Sequence, residues 1–143
     1  MGGHVDNPTY EEVCEKTTGH AEVAKVIFDE GVISADVILD IFFTLHDPTT
    51  LNRQGMDVGP QYRSAMFYAD DAQREAFEAA RDRAALIWDD PIVTEIAPAT
   101  EFWIGEEYHQ DFFAKNPNQG YCNAVIVPKV TKVRAKFSEF LKG

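Results

Sequence analysis

The chain is poor in cysteine, in positive charge and in long apolar runs. Two cysteines, Cys14 and Cys122, among 143 residues are too few for a disulfide scaffold. They fit a reducing compartment, here expected to be the cytoplasm, and redox or inert roles. Thirteen lysines and arginines against 24 acids leave a net charge of −11, which argues against nucleic acid or an anionic membrane as partner. No apolar stretch approaches the ~18 residues of a membrane span, and no signal peptide begins at Met1. There is no internal repeat and no low-complexity segment. No cysteine–histidine spacing resembles a zinc site.

What is present is ordinary for a globular protein: 45% apolar and 26% charged residues. The length predicts a single domain over residues 1–143, large enough to bury roughly two-thirds of its unfolded surface. The charge is uneven. From Pro128 onward stand Lys129, Lys132, Arg134, Lys136 and Lys142 with one acid, Glu139, a surplus of +4 that leaves −15 on the remainder. A basic tail of this kind is expected to dock on the acidic body of its own chain.

Gly2, Gly3, Asn7-Pro8 and Gly19 make the first 19 residues loop-like. His20 to Phe28 alternates as a strand does, with Glu22, Ala24, Val26 and Phe28 on one face. Ser34 is an N-cap for a helix whose apolar stripe is Val37, Ile38, Ile41, Phe42 and Leu45, and Asp47-Pro48 ends it. Tyr62 to Tyr68 reads as a strand. Asp70 with Gln73 resembles a capping box and opens a helix to about Ile87, with Ala76, Phe77, Ala80 and Ala84 as its stripe. Ile92 to Ile96 reads as a short strand that Pro98 keeps out of a central position. A short helix over Glu106–Lys115, a turn at Asn116–Gly120 and a last amphipathic helix over Pro128–Leu141 complete the chain. Interleaved strands and helices predict an α/β or α+β class with a mixed sheet.

Between the first long helix and the next strand lies His46 to Ser64, HDPTTLNRQGMDVGPQYRS. Such a long polar connection is either functional or disordered. Leu51, Met56, Val58 and Tyr62, with little charge, point away from disorder. Several residues along the chain have side chains suited to chemistry, and local pattern leaves each open. Glu22 is either a strand-end carboxylate facing water or a carboxyl on an apolar face, where lost hydration raises its pKa. Tyr10 and Tyr62 are packing aromatics or hydrogen-bond donors. Asp57 is a turn residue beside Gly55 and Gly59 or a binding group. Cys122 is an inert thiol or a mobile one after a turn-rich segment. Cys14 is crowded by Glu11, Glu12 and Glu15, poor surroundings for a nucleophile. Glu106 and His109 have the Glu-x-x-His spacing of di-iron bundles, but that fold needs two such motifs. A structural part in loop bonding fits them better, with a carboxylate–histidine metal protein as the weakest alternative.

Four segments resemble one family in the same order: NPTYEEVCEKTTGHAEV, HDPTTLNRQGMDVGPQYRSA, EEYHQD and GYC. They resemble the type A peptide methionine sulfoxide reductases, which reduce the S epimer of methionine sulfoxide in proteins. The resemblance covers nearly the whole chain. It implies an α+β two-layer sandwich, with a mixed central sheet on a ferredoxin-like core flanked by helices and long loops. It also implies roles. Glu22, in GHAEV, matches the catalytic glutamate, which protonates the leaving oxygen. Tyr10 and Tyr62 match the phenols that contact the sulfoxide oxygen, and Asp57 matches an aspartate that positions substrate and water. Cys122, in Gly-Tyr-Cys, matches the resolving cysteine, which closes a disulfide on the oxidised nucleophile and so needs mobility. No cofactor is implied. The partners would be the sulfoxide, protein-bound or free, and a thioredoxin-like dithiol reductant.

One departure outweighs the matches. The family's nucleophile motif, Gly-Cys-Phe-Trp, does not occur in these 143 residues. In the family it lies on a strand–helix–strand unit of roughly 30 residues or more ahead of the segment where this chain starts. Met1-Gly2-Gly3 falls where the family has Gly-Tyr, then Ala or Met, then Gly-Gly, so Met1 reads as an internal methionine. The expectation is a chain that lacks the first strand–helix–strand unit, is inactive as given, and self-associates through the uncovered face. The alternative is a non-catalytic remnant that binds methionine sulfoxide or a partner chain.

Overall fold

A computed structural model describes residues 1–141. Among the described residues, five helices and two small sheets follow one another, which is the α+β class expected. Helix α1 (Tyr10–Cys14) opens on a full capping box. The Glu12 N–H donates to Thr9 Oγ1, and the Thr9 N–H donates back to Glu12 Oε2 at 2.8 Å. Helix α2 (Ala35–Leu45) is capped by Ser34, as its sequence predicts, and stops at His46. Its deepest residues are Leu39 and Phe43, with Val37, Ile38, Ile41 and Phe42 half-buried and Leu45 exposed. The helix is apolar nearly all round, so its sequence alone does not choose a stripe. Helices α3 (Asp71–Ala85) and α5 (Val127–Lys136) do, by packing against α2.

Strands β1 (Arg53–Gln54) and β2 (Asp57–Val58) form an antiparallel ribbon within the long polar loop. Strand β3 (Ala65–Tyr68), helix α3 (Asp71–Ala85) and strand β4 (Glu95–Pro98) form a strand–helix–strand unit in which β3 and β4 pair in parallel, Ala65 opposite Glu95 and Tyr68 opposite Pro98. The two strand senses therefore occupy separate two-stranded sheets among the described residues. Asp70 accepts the Gln73 N–H at 2.8 Å, and the Gln73 side chain accepts from Ala69. The core is Leu39, Phe43, Met66, Ala80 and Ala84, with Ala76, Phe77, Trp88 and Ile96 packed against it. Alanines at 80 and 84 let α2 and α3 approach closely.

Several local expectations are corrected. Among the described residues, 20–28 form no strand. Ala21 and Glu22 make main-chain bonds, to Met1 and Gln61, whereas none reaches residues 23–28. A strand needs a neighbour as well as an alternating face, and Val26, Ile27 and Phe28 stay exposed. The strand foreseen from Tyr62 starts at Ala65, because Pro60–Tyr62 winds into one 3₁₀ turn. The second strand shifts to Glu95–Pro98, because the Val93 N–H is already spent on Pro48 O at 2.8 Å. The helix over 106–115 splits into a 3₁₀ turn (Glu107–His109) and α4 (Phe112–Lys115) at Asp111, whose φ is +55°. The final helix, α5 (Val127–Lys136), follows a π-helical turn, Cys122–Ile126, and ends before Leu141. The tail docks on its own chain. The Lys136 ammonium donates to Thr44 Oγ1 at 3.4 Å, the Lys132 ammonium lies 5.3 Å from the Trp88 ring centre, and Phe137 is buried. Lys142 lies outside the described residues.

Candidate active site

The long loop is ordered by its ends. His46 Nδ1 lies 2.6 Å from Phe42 O, a pure acceptor, so that nitrogen carries the proton. In the neutral ring Nε2 then accepts from Ser64 Oγ, also at 2.6 Å, and Ser64 accepts from Thr94 Oγ1 at 2.8 Å. The first and last residues of the loop are thus joined through a buried chain of three side chains. Burial holds the His46 pKa below the usual histidine range, against the Phe42 hydrogen bond that favours charge. Within the loop, Gln54 bonds the main chain of Asp47 twice, at 2.9 and 3.1 Å. The Gly59 N–H donates to Asn52 O at 2.9 Å.

This frame carries Asp57 and Tyr62 toward residues from three other segments. Glu22 is placed by its own main chain, whose N–H donates to Gln61 O at 2.8 Å. Tyr10, first residue of α1, is placed by its N–H, which donates to Glu106 Oε1 at 3.0 Å. Tyr121 donates its hydroxyl to Asp57 Oδ2 at 3.3 Å. Arg63 ties the surroundings together, with its guanidinium on Glu95 Oε2 (2.8 Å), Pro60 O (2.8 Å) and Gly19 O (3.0 Å).

The proximity of these groups is legible in their ionisation. Desolvation is the largest cause of a Glu22 pKa above the usual carboxylate range; His109 opposes the rise and Asp57 adds to it. The Tyr10 phenol is pushed up to about 12, first by a side-chain hydrogen bond with Cys14 one helical turn away, then by charge on Cys14, burial, Tyr62 and Glu22. Burial raises Tyr62, and Glu22, Asp57 and Cys14 reinforce it. Burial and Asp57 raise Tyr121. A carboxyl inclined to keep its proton and phenols that remain neutral form a cluster of hydrogen-bond donors, suited to a partly negative oxygen.

Of the five residues singled out by sequence, Tyr10, Glu22, Asp57 and Tyr62 come together. Cys122 does not open onto them. It is fully buried at the start of the π-helical turn, although its neighbour Tyr121 reaches Asp57. Cys14 is half-buried and free beside Tyr10. Glu106 bonds backbone, but at the first residue of α1 rather than in a loop. His109 instead lies against the Tyr10 and Tyr108 rings, at 4.4 and 4.1 Å between centres, with Nε2 buried and without a partner. Its nearest carboxylate, Glu106 Oε2, is 3.9 Å away, and among the described residues no group of three potential ligands gathers around a metal position. Local reading passed over three residues. Gln61 and His20 are buried polar groups, and Arg63 is a clamp. His20 accepts from the Gly3 N–H at 3.0 Å on Nδ1 and donates to Val5 O from Nε2 at 2.7 Å. No local pattern marks them, since each acts through partners distant in sequence.

Comparison with known proteins bears on the family and the fold. A family model described as peptide methionine sulfoxide reductase matches residues 1–141. The peptide methionine sulfoxide reductase MsrA of Clavibacter michiganensis subsp. michiganensis is 61% identical over 143 residues, all of this chain and 82% of the relative. That of Paenarthrobacter aurescens is 58% identical over 140 residues, 98% of this chain and 80% of the relative. Mxr1 from Saccharomyces cerevisiae in reduced form superposes with a TM-score of 0.78 at 37% identity, covering 85% of this chain and 67% of that one. Methionine sulfoxide reductase A of Corynebacterium diphtheriae gives 0.71 at 37% identity, over 82% of this chain and 61% of that one. Matched along nearly its whole length in both sequence and fold, the chain belongs to the peptide methionine sulfoxide reductase family.

Proposed function

We propose that this chain binds methionine-S-sulfoxide in proteins and supplies the acid and the oxygen-contacting donors for its reduction by a thiol. The observation that carries the reading is the meeting of Tyr10, Glu22, Asp57 and Tyr62, from separate segments, around a partly desolvated carboxyl. In the reaction a thiol attacks the electrophilic sulfoxide sulfur. The oxygen passes to that thiol, leaving the thioether methionine and a sulfenic acid. A second thiol condenses with the sulfenic acid, releasing water and forming a disulfide, which an external dithiol of thioredoxin type then reduces. Protonated Glu22 donates to the oxygen as charge develops there. The Tyr10 and Tyr62 hydroxyls share that charge as neutral donors. Asp57, held by Tyr121, orients the substrate.

Cys122 is the resolving thiol in this scheme. Its burial means that the π-helical turn unwinds before it reacts, and π-turns of this kind recur at functional sites. The attacking thiol is not among the 143 residues in its family setting, since no Gly-Cys-Phe-Trp occurs. The test is to titrate the 143-residue polypeptide with N-acetyl-methionine sulfoxide methylamide of each epimer, followed by NMR, and to assay turnover with dithiothreitol. The expected result is saturable binding of the S epimer that Glu22→Gln and Tyr62→Phe weaken, with turnover at background. Cys14→Ala and Cys122→Ala should leave that background unchanged. Absence of sulfoxide binding would overturn the site. Turnover abolished by Cys14→Ala would assign the attack to Cys14 instead.

A further inference from the structure

We infer that His20 is a positioning residue for this site: its buried ring, held between the Gly3 N–H and the Val5 carbonyl, sets where Glu22 stands relative to Tyr10. The inference rests on the function proposed above. His20 is 3% exposed, and each ring nitrogen has a partner. Val5 O is a pure acceptor, so Nε2 carries the proton and donates it over 2.7 Å. The neutral ring then offers Nδ1 as acceptor to the Gly3 N–H at 3.0 Å. The ring is thus a cross-link of fixed polarity, a part that an apolar ring of similar size could not take.

The cross-link joins the stretches that lead to two site residues. On one side lie Gly3 and Val5, shortly before Thr9, the cap of the helix that Tyr10 opens. On the other side lie residues 18–22, tied one after another. Thr18 O accepts from the His4 N–H at 2.9 Å, and Gly19 O accepts from Arg63 at 3.0 Å. The His20 N–H reaches Thr18 Oγ1 at 3.2 Å, the Ala21 N–H reaches Met1 O at 2.9 Å, and the Glu22 N–H reaches Gln61 O at 2.8 Å. No main-chain bond reaches residues 23–28. The Glu22 main chain is therefore placed by Gln61 and by the residues before it. Among the described residues of 18–22, His20 alone extends a hydrogen-bonding side chain onto residues 1–5. Gly3 approaches so closely that a Cβ there would overlap Thr18 O and the His20 main-chain nitrogen, so the ring bond and the main-chain contact depend on one another. Released from the ring, the stretch gains freedom and the Glu22 carboxyl gains water, which removes the burial that chiefly raises its pKa.

The test uses the 143-residue polypeptide with ¹³C-labelled glutamate carboxyls, followed by NMR, with Glu22→Ala to assign the resonance. ¹⁵N NMR should show His20 protonated on Nε2 and bare on Nδ1; the opposite tautomer overturns the inference. His20→Phe should lower the Glu22 titration toward that of a hydrated carboxyl. It should also weaken binding of N-acetyl-methionine-S-sulfoxide methylamide about fivefold, the shift in population that one neutral hydrogen bond produces. In the Glu22→Ala background His20→Phe should add nothing to the loss. His20→Asn keeps an acceptor near the place of Nδ1 and should restore part of both effects. Gly3→Ala disturbs the same contact from the main chain and should reproduce them, and it serves if the phenylalanine variant fails to fold. An unmoved Glu22 titration in both His20→Phe and Gly3→Ala overturns the inference, even where the urea midpoint falls. An equal loss of affinity in the Glu22→Ala background overturns it too. Sulfoxide that fails to bind the parent polypeptide, with the Glu22 titration still responding to His20, overturns the function proposed for the site and upholds the placing of Glu22 by His20.

Discussion

Gly59 lies between Asp57 and Tyr62 and is the tightest point of the loop, so adding one methyl group there tests how the loop is built. Two separate costs attach to Gly59→Ala. The backbone has φ of +149° and ψ of 161°, a region essentially confined to glycine, and an alanine there costs about 1–3 kcal/mol. The new Cβ would also overlap the Gln61 carboxamide. That side chain is long but buried, so it escapes only by leaving its pocket, at a further cost of about 1–3 kcal/mol. A matched control exists in the same loop. Gly55 has φ of +57° and nothing within 4 Å of an added Cβ, so Gly55→Ala carries only the left-handed penalty, about 1–2 kcal/mol. Gly59→Ala is therefore expected to lose about 2 kcal/mol more than Gly55→Ala. At a urea dependence of about 2 kcal/mol/M, the two midpoints separate by about 1 M, read by circular dichroism. Equal midpoints would refute the claim that Gln61 is locked against Gly59.

Further outcomes follow from charge. Burial depresses the His46 pKa below 6.5, so the folded state binds fewer protons than the unfolded one. Its contribution to stability is intact above pH 6.5 and is lost as pH falls through the folded pKa. His46→Asn should flatten the urea midpoint between pH 7 and 5, and an unchanged slope would count against the buried neutral ring. Glu22 has the opposite sign. Its folded pKa is raised above 4.5, so stability is full below that value and declines as pH rises through the folded pKa. Glu22→Gln should therefore be more stable than the parent at pH 7 while binding sulfoxide less well. Arg63→Lys replaces a three-point guanidinium contact with a single ammonium and should cost about 2 kcal/mol, seen as a lower urea midpoint. A neutral result would mean that the clamp is a surface ion pair of little weight.

What was legible in the sequence is what is local. Ser34 and Asp70 announce their helices because a cap bonds an N–H three residues on, and the Ala76–Ala84 stripe shows because helical spacing repeats within two turns. Residues 20–28 misled because alternation specifies a face and says nothing of a neighbour. The break at Asp111 was invisible because aspartate tolerates the left-handed region without marking it. Within the site, Tyr10, Glu22, Asp57 and Tyr62 were named by resemblance to family motifs, since their local patterns supported bland readings equally well. Gln61 escaped both routes. Its neighbours Glu22 and Gly59 matter through a folded loop, and no period in the sequence encodes that fold.

The way these segments are held explains how one chain combines a rigid core with a site built from loops. Leu39, Phe43, Met66, Ala80 and Ala84 pack two helices against a strand, and none of the proposed site residues belongs to that cluster. The site is fixed instead by single directional bonds: Tyr10 to Glu106, Glu22 to Gln61, Tyr121 to Asp57. Each is worth about 1 kcal/mol, small beside the several kcal/mol that a buried aromatic of the core contributes. The groups suited to chemistry therefore sit where local openings are cheapest. Under the proposed function, the donors Tyr10, Glu22 and Tyr62 would meet the sulfoxide oxygen from segments held by such single bonds. The His46–Ser64–Thr94 chain fixes both ends of the loop to α2 and to the segment entering β4. Asp57, Gly59, Gln61 and Tyr62 lie between those two anchored ends.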